Sequence, residues 1–129
     1  MFIISIGIVM CLIYKIKNIH KILYMLDKEF SEDNGITLNE AIVIYSLSAQ
    51  WDSCASYLSD QLGLSNSRTS KILLNLERKR YIKRKIGKED KRLMLFSLTE
   101  KGKCKKEEIQ RNERIYIQFI ASLSGLIKP

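Results

Sequence analysis

The sequence predicts a mainly α fold carrying one small β-hairpin, and three observations lead there. Proline occurs once in 129 residues and no low-complexity tract interrupts them, which favours long helices over many short strands. Apolar residues recur at helical spacing towards both ends, and the spacing changes to alternation only over Tyr81–Ile86 and Leu93–Leu98. Just before that change, two short helical patterns are joined by Gly63-Leu64-Ser65. With 46% hydrophobic and 28% charged residues, the chain has the composition of a folded protein rather than a disordered one. Its length suits one domain spanning residues 1–129.

The first 14 residues, Met1 to Tyr14, are almost continuously apolar. As a helix they would span about 21 Å, against the ~30 Å of a bilayer core. A secretory signal places basic residues before its apolar stretch; here Lys15, Lys17 and Lys21 come after it. Both points disfavour membrane insertion and favour packing against another chain. From Leu12 onward, Leu12, Ile16, Ile19, Leu23, Leu26 and Phe30 alternate steps of four and three, a heptad-like seam on one helix face. No proline or glycine interrupts Ile8 to Asn34, and Asn34-Gly35 is a helix stop.

Thr37 caps the second helix, with Glu40 three residues on completing a capping-box pattern. Ala41, Ile42, Val43, Tyr45 and Leu47 make that helix apolar on most sides, as expected of a central buried element. A shorter helix runs from about Cys54 to Leu62, closed by Gly63. After the turn, Ser65 caps a further helix from Asn66 to about Lys79. This is a helix-turn-helix arrangement. On its last helix Thr69, Ile72, Leu73 and Leu76 share the inward face. Ser67, Arg68, Ser70, Lys71, Asn75 and Arg78 project outward, with Leu74 among them.

The two β patterns flank Gly87-Lys88-Glu89-Asp90-Lys91-Arg92, a hairpin with a polar, basic loop. Thr99 caps a last helix expected to reach about Ser124, with Ile109, Tyr116, Phe119, Ile120, Leu123 and Ile127 on one stripe. The architecture is therefore a winged helix-turn-helix lobe, residues 37–99, between long helices at 1–35 and 100–129. Two such terminal helices are too long for one small core, which points to a homodimer. Leu12, Ile16, Ile19 and Leu23, with Tyr116, Phe119, Ile120 and Leu123, are the expected dimer contacts.

Charge is distributed unevenly. Of a formal net +8, Arg68 to Lys106 hold 15 Lys/Arg against 4 Asp/Glu, so the remaining residues are net acidic. A basic module on a mildly acidic remainder is the footprint of polyanion binding. The major groove of B-DNA admits one α-helix, whose N-terminal residues reach base edges. Arg68 and Lys71 share a helix face, with Ser67, Ser70 and Asn75 beside them. Lys88, Lys91 and Arg92 crowd round the hairpin turn, where arginine suits a narrow, electronegative minor groove. Double-stranded DNA is the expected partner, with Arg78 and Arg84 as further contacts.

The stretch from Leu64 through Arg84, together with Glu89-Asp90-Lys91-Arg92 and Leu98-Thr99-Glu100-Lys101-Gly102, resembles the MarR family of multiple-antibiotic-resistance-type regulators. Asp90 and Arg92 match its Asp-x-Arg wing signature, and Leu98, Thr99 and Gly102 its Leu-Thr-x-x-Gly motif. The specific motifs cover roughly Cys54 to Gly102. The resemblance implies a dimeric transcription regulator, a repressor, with Ser67, Arg68, Ser70 and Lys71 on the recognition helix. It implies that Arg92 enters the minor groove, with Asp90 holding the wing arginine by a salt bridge. A small-molecule effector pocket between the dimer helices and the lobe is also implied, where Trp51 and Tyr45 are candidates. Arg80 departs from the pattern, standing where a glycine often ends the recognition helix.

Other chemistry has little to stand on. His20 is the single histidine and has no convergent partners, and there is no phosphate-binding glycine loop, nucleophile elbow or paired-carboxylate motif. No enzyme activity and no cofactor or metal is expected. Cys11, Cys54 and Cys104 are an odd number without C-x-x-C spacing, which reads as reduced thiols in a cytoplasmic protein. Some relatives of the resembling family sense peroxides through a cysteine early in the first helix; Met10, Leu12 and Ile13 around Cys11 argue for its burial and against that role. Two alternatives remain: a winged-helix module for protein contact or membrane attachment that binds no operator, and a thiol-based redox-sensing regulator using Cys11.

Overall fold

The structure, a computed structural model, describes residues 2–47, 52–112 and 121. In chain order it contains α1 (Phe2–Asn34), α2 (Leu38–Ser46), α3 (Ala55–Leu62), α4 (Asn66–Arg78), β1 (Ile82–Ile86), β2 (Met94–Leu98) and α5 (Glu100–Arg111). The expected mainly α fold with one antiparallel hairpin is present.

Helix α1 runs for 33 residues, so the apolar N-terminal stretch is helical from Phe2 and continues through Gly7. Among the described residues, only its last turns seat against the rest of the protein. Phe30 and Asn34 are buried. The Asn34 amide donates to the Phe30 carbonyl (3.0 Å) and its oxygen accepts from Asn112 Nδ2 (3.2 Å). One turn earlier, Asp27 Oδ1 accepts the Leu38 amide (3.2 Å), tying α1 to the start of α2. Towards the N-terminus Leu12, Ile16 and Leu23 are exposed and Ile19 is half-buried. Cys11 is exposed as well, contrary to the burial its apolar neighbours suggest, because no other element among the described residues covers this part of α1.

The capping box of α2 forms as expected. Thr37 Oγ1 accepts the Glu40 amide (3.1 Å) while Glu40 Oε1 accepts the Thr37 amide (3.0 Å), an arrangement worth about 1 kcal/mol. Ala41, Val43, Ile44 and Leu47 are buried, but Ile42 and Tyr45 are each 41% exposed. The helix is thus central without being enclosed. Its open side borders an apolar groove of about 370 Å³ formed by Leu26, Phe30, Leu38, Ala41, Ile42, Tyr45, Ser46 and Ile109.

Leu58, Leu73, Leu76, Ile82, Phe96, Leu98 and Ile109 complete the core around α2. Fully burying each such side chain contributes roughly 1.5–3 kcal/mol. In the hairpin Ile82 pairs with Leu98, Arg84 with Phe96 and Ile86 with Met94. Ser53, in the α2–α3 connection, adds a one-residue bridge to Phe96, exchanging two backbone hydrogen bonds of 3.1 and 2.8 Å. A single paired residue has no periodicity, so sequence reading had nothing to detect there.

The described part of the last helix begins with Thr99, whose hydroxyl accepts the Gly102 amide (3.0 Å) and donates to the Arg80 carbonyl (2.6 Å). Gly102 packs so closely that a Cβ there would overlap the Tyr81 carbonyl oxygen and meet Leu98 Cδ2 at 2.9 Å. The Leu-Thr-x-x-Gly motif is therefore a packing joint between α5 and the strand lead-in. Trp51, Tyr116, Phe119, Ile120, Leu123 and Ile127, and the run expected to reach Ser124, lie outside the described residues.

Candidate nucleic-acid interface

Helix α3 ends at Gly63 in the left-handed region (φ 64°), and the Leu64 amide returns to the Ser59 carbonyl (3.2 Å). The chain is thereby turned so that Ser65 caps α4, its hydroxyl accepting the Arg68 amide (3.2 Å). Thr69, Leu73 and Leu76 face inward and are buried, with Ile72 partly so. Ser67, Arg68, Ser70, Lys71, Leu74 and Arg78 stand exposed on the outer face. That division follows from the 3.6-residue repeat and matches the sequence reading.

Two side chains expected to face outward are engaged within the chain. Asn75 donates through Nδ2 to Glu40 Oε2 (3.3 Å). Glu40, only 2% exposed, also takes Lys79 Nζ at 3.1 Å on each oxygen. One carboxylate thus caps α2 and holds the C-terminal half of α4. Arg84 pairs with Glu77 of α4 at 2.7 Å and lies 5.5 Å above the Phe96 ring. It clamps the hairpin to α4 and has fewer donors left for an external contact.

The end of α4 explains the departure at Arg80. The Tyr81 amide returns to the Leu76 carbonyl (3.0 Å) and the Arg80 amide to Glu77 (2.9 Å), the bond pair of a Schellman ending. That ending puts Arg80 in the left-handed region at φ 65°, which favours glycine and costs another residue about 1 kcal/mol. The chain keeps an arginine there regardless. Lys101 braces the joint by donating to the Lys79 carbonyl (2.9 Å) and lying 4.8 Å from the Tyr81 ring.

Beyond β1, the Gly87 amide binds the Leu93 carbonyl (2.8 Å) and the Leu93 amide binds the Asp90 carbonyl (3.1 Å). A Cβ on Gly87 would sit 2.7 Å from the Asp90 carbonyl oxygen, so the turn closes only over a residue without one. Lys88, Lys91 and Arg92 are exposed around it. Asp90 makes a backbone contact within the turn rather than the salt bridge implied by the resemblance. Its Oδ1 accepts the backbone amide of Arg92 (2.9 Å), shaping the turn and leaving the guanidinium exposed. At the base of the wing Lys85 pairs with Asp52.

Helix α4 and the hairpin are thus two basic probes joined by the Glu77–Arg84 pair. Their exposed cations create a field suited to a phosphate backbone. No group of three or more metal-ligating side chains occurs among the described residues. Cys54, the N-cap of α3, has its thiol pKa lowered, chiefly by a hydrogen bond with the Ser56 hydroxyl (3.2 Å) and next by the Tyr57 amide, against a smaller opposing effect of burial. The sequence reading attached no importance to it. Tyr45 borders the apolar groove described above, with Lys106 Nζ 5.8 Å from its ring.

Comparison with known proteins bears on the same region. The sequence profile of the winged helix DNA-binding domain matches residues 40–113. No curated protein matches the chain. Among solved structures, a MepR-like protein crystallised with pseudoligands shares 25% identity, with a TM-score of 0.67 over 79% of this chain and 73% of that one. An S. aureus MepR mutant bound to an oligodeoxyribonucleotide shares 23% identity and a TM-score of 0.64 over 84% of this chain and 80% of its own. A MarR family transcription regulator, at 18% identity, superposes with a TM-score of 0.71 over 92% of this chain and 78% of its own.

Proposed function

Because this chain belongs to the winged helix DNA-binding domain family and has a MarR-like fold, we propose that it is a homodimeric, sequence-specific transcription regulator. The observation that carries the reading is the exposed face of α4 locked beside a basic hairpin. Ser67, Arg68, Ser70 and Lys71 enter the major groove, where arginine pairs bidentately with guanine. Arg92 enters the neighbouring minor groove, while Arg78, Lys88 and Lys91 neutralise phosphates. That a MepR mutant of the same fold is bound to an oligodeoxyribonucleotide supports DNA as the partner.

Dimerisation uses α1 and the C-terminal segment. The exposed seam Leu12, Ile16 and Leu23, with half-buried Ile19, supports this role for α1; a twofold axis would then repeat the two probes. The protein acts in the cytoplasm as a repressor that occludes a promoter. An unidentified apolar effector occupies the groove beside Tyr45 and Ile42, whose size falls in the usual range for ligand sites. No helix among the described residues is long and apolar enough to cross a membrane.

Selection from a random duplex pool with the purified protein tests the proposal. The expected product is a pseudo-palindrome whose half-sites are about one helical turn apart. A pool that stays unenriched would contradict operator binding and favour a protein-contact role for the lobe.

A further inference from the structure

One residue on the outer face of α4 has no part in the chemistry above. Leu74 is 41% exposed, although the other exposed residues of that face are polar or charged. At about 100° per residue, Ser67, Lys71, Leu74 and Arg78 fall within about 60° of one another. Leu74 therefore shares the outer face with them, on its Glu77 side, between the Arg84 contact of Glu77 on one flank and the Glu40 contacts of Asn75 and Lys79 on the other. A helical side chain leans towards the N-terminus and covers the turn before its own Cα. The isobutyl group is thus carried towards Ser70 and Lys71, the end of α4 that reads bases.

We infer that Leu74 is a specificity-determining residue that packs on the 5-methyl group of a thymine in the major groove. The inference rests on the docking proposed in the preceding subsection. In that groove the base edges present hydrogen-bond donors and acceptors, and one apolar group, the thymine methyl. An apolar side chain directed at base edges has that single complementary partner. Cytosine at the same position would present an amino group that leucine cannot satisfy, so the contact discriminates as well as attracts. The competing role is structural. Leu74 also borders a shallow groove with Thr37, Glu40, Ile72 and Asn75, and a covering function there would affect folding without regard to DNA sequence.

Deoxyuridine scanning separates the two roles, because it deletes only the methyl group. In the duplex selected by the wild-type protein, each thymine is replaced in turn by deoxyuridine and the dissociation constant is measured for wild type, Leu74→Ala and Leu74→Gln. One position per half-site should weaken wild-type binding about fourfold, the equivalent of roughly 0.8 kcal/mol for a buried methyl-sized group. At that position both variants should be indifferent to the replacement, with wild-type thermal stability. The inference is overturned if no thymine is sensitive, if the variants retain the sensitivity, or if they lose stability while binding with unchanged preference. Failure to select any common duplex would overturn the docking itself, a result distinct from these.

Discussion

The N-terminal helix is richer in apolar residues than the winged lobe, yet it is the lobe that buries them. In the lobe, Val43, Ile44, Leu58, Leu73 and Leu76 are each no more than 1% exposed, and Thr37 and Ser65 cap the starts of α2 and α4. In α1, Ile6, Ile8, Val9, Met10, Leu12, Ile13 and Ile16 are each at least 45% exposed. An apolar run of that size on a helix is seldom left in water. The lobe's pattern is satisfied among the described residues, whereas that of α1 is left uncovered by them.

Substitutions in the two regions should therefore fail differently. Leu76→Ala should cost about 3 kcal/mol, because it removes a fully buried side chain and leaves a cavity; denaturant unfolding followed by circular dichroism would measure it. A change below about 1 kcal/mol would mean that Leu76 is not part of a close-packed core. Introducing Leu12→Glu together with Ile16→Glu should leave the lobe folded but yield monomers in sedimentation, with DNA affinity reduced by about a hundredfold or more. Dimers that persist would remove α1 from the proposed interface.

A smaller effect sharpens the comparison within the lobe. Arg80→Gly should raise stability by up to about 1 kcal/mol by relieving the left-handed backbone, despite losing a positive charge. Equal or lower stability would show that the arginine side chain offsets the strain. No such substitution is expected to help in α1, whose described backbone stays helical throughout.

The same contrast governs what could be read from the sequence. Because each signal is local, periodicity, caps and turn residues located both strands and the described helices to within a few residues, apart from the end of the last helix. There α5 closes at Arg111, and the expected run to Ser124 lies outside the described residues. Charge density, a local signal too, located the two basic probes. Long-range polar contacts were not legible. Glu40 was identified as a capping residue, but nothing local indicates that its second oxygen meets Asn75 and Lys79, 35 and 39 positions away. Arg84 and Glu77 show the same limit, since a helix residue and a strand residue meet only once the joint at Arg80 is formed. The exposure of Ile42, Tyr45 and Cys11 was misjudged because apolar composition reports a preference for burial and not the presence of a neighbour to provide it.

In the proposed complex, cations of the lobe, rather than those of α1, meet the phosphate backbone. The most direct test of that arrangement is the dependence of DNA affinity on salt concentration. Log–log plots should be steep for the wild-type protein, distinctly shallower after Lys88→Gln with Lys91→Gln, and unchanged after Lys15→Gln with Lys17→Gln. A flat wild-type plot, or a slope that follows the α1 lysines instead of the wing, would contradict it.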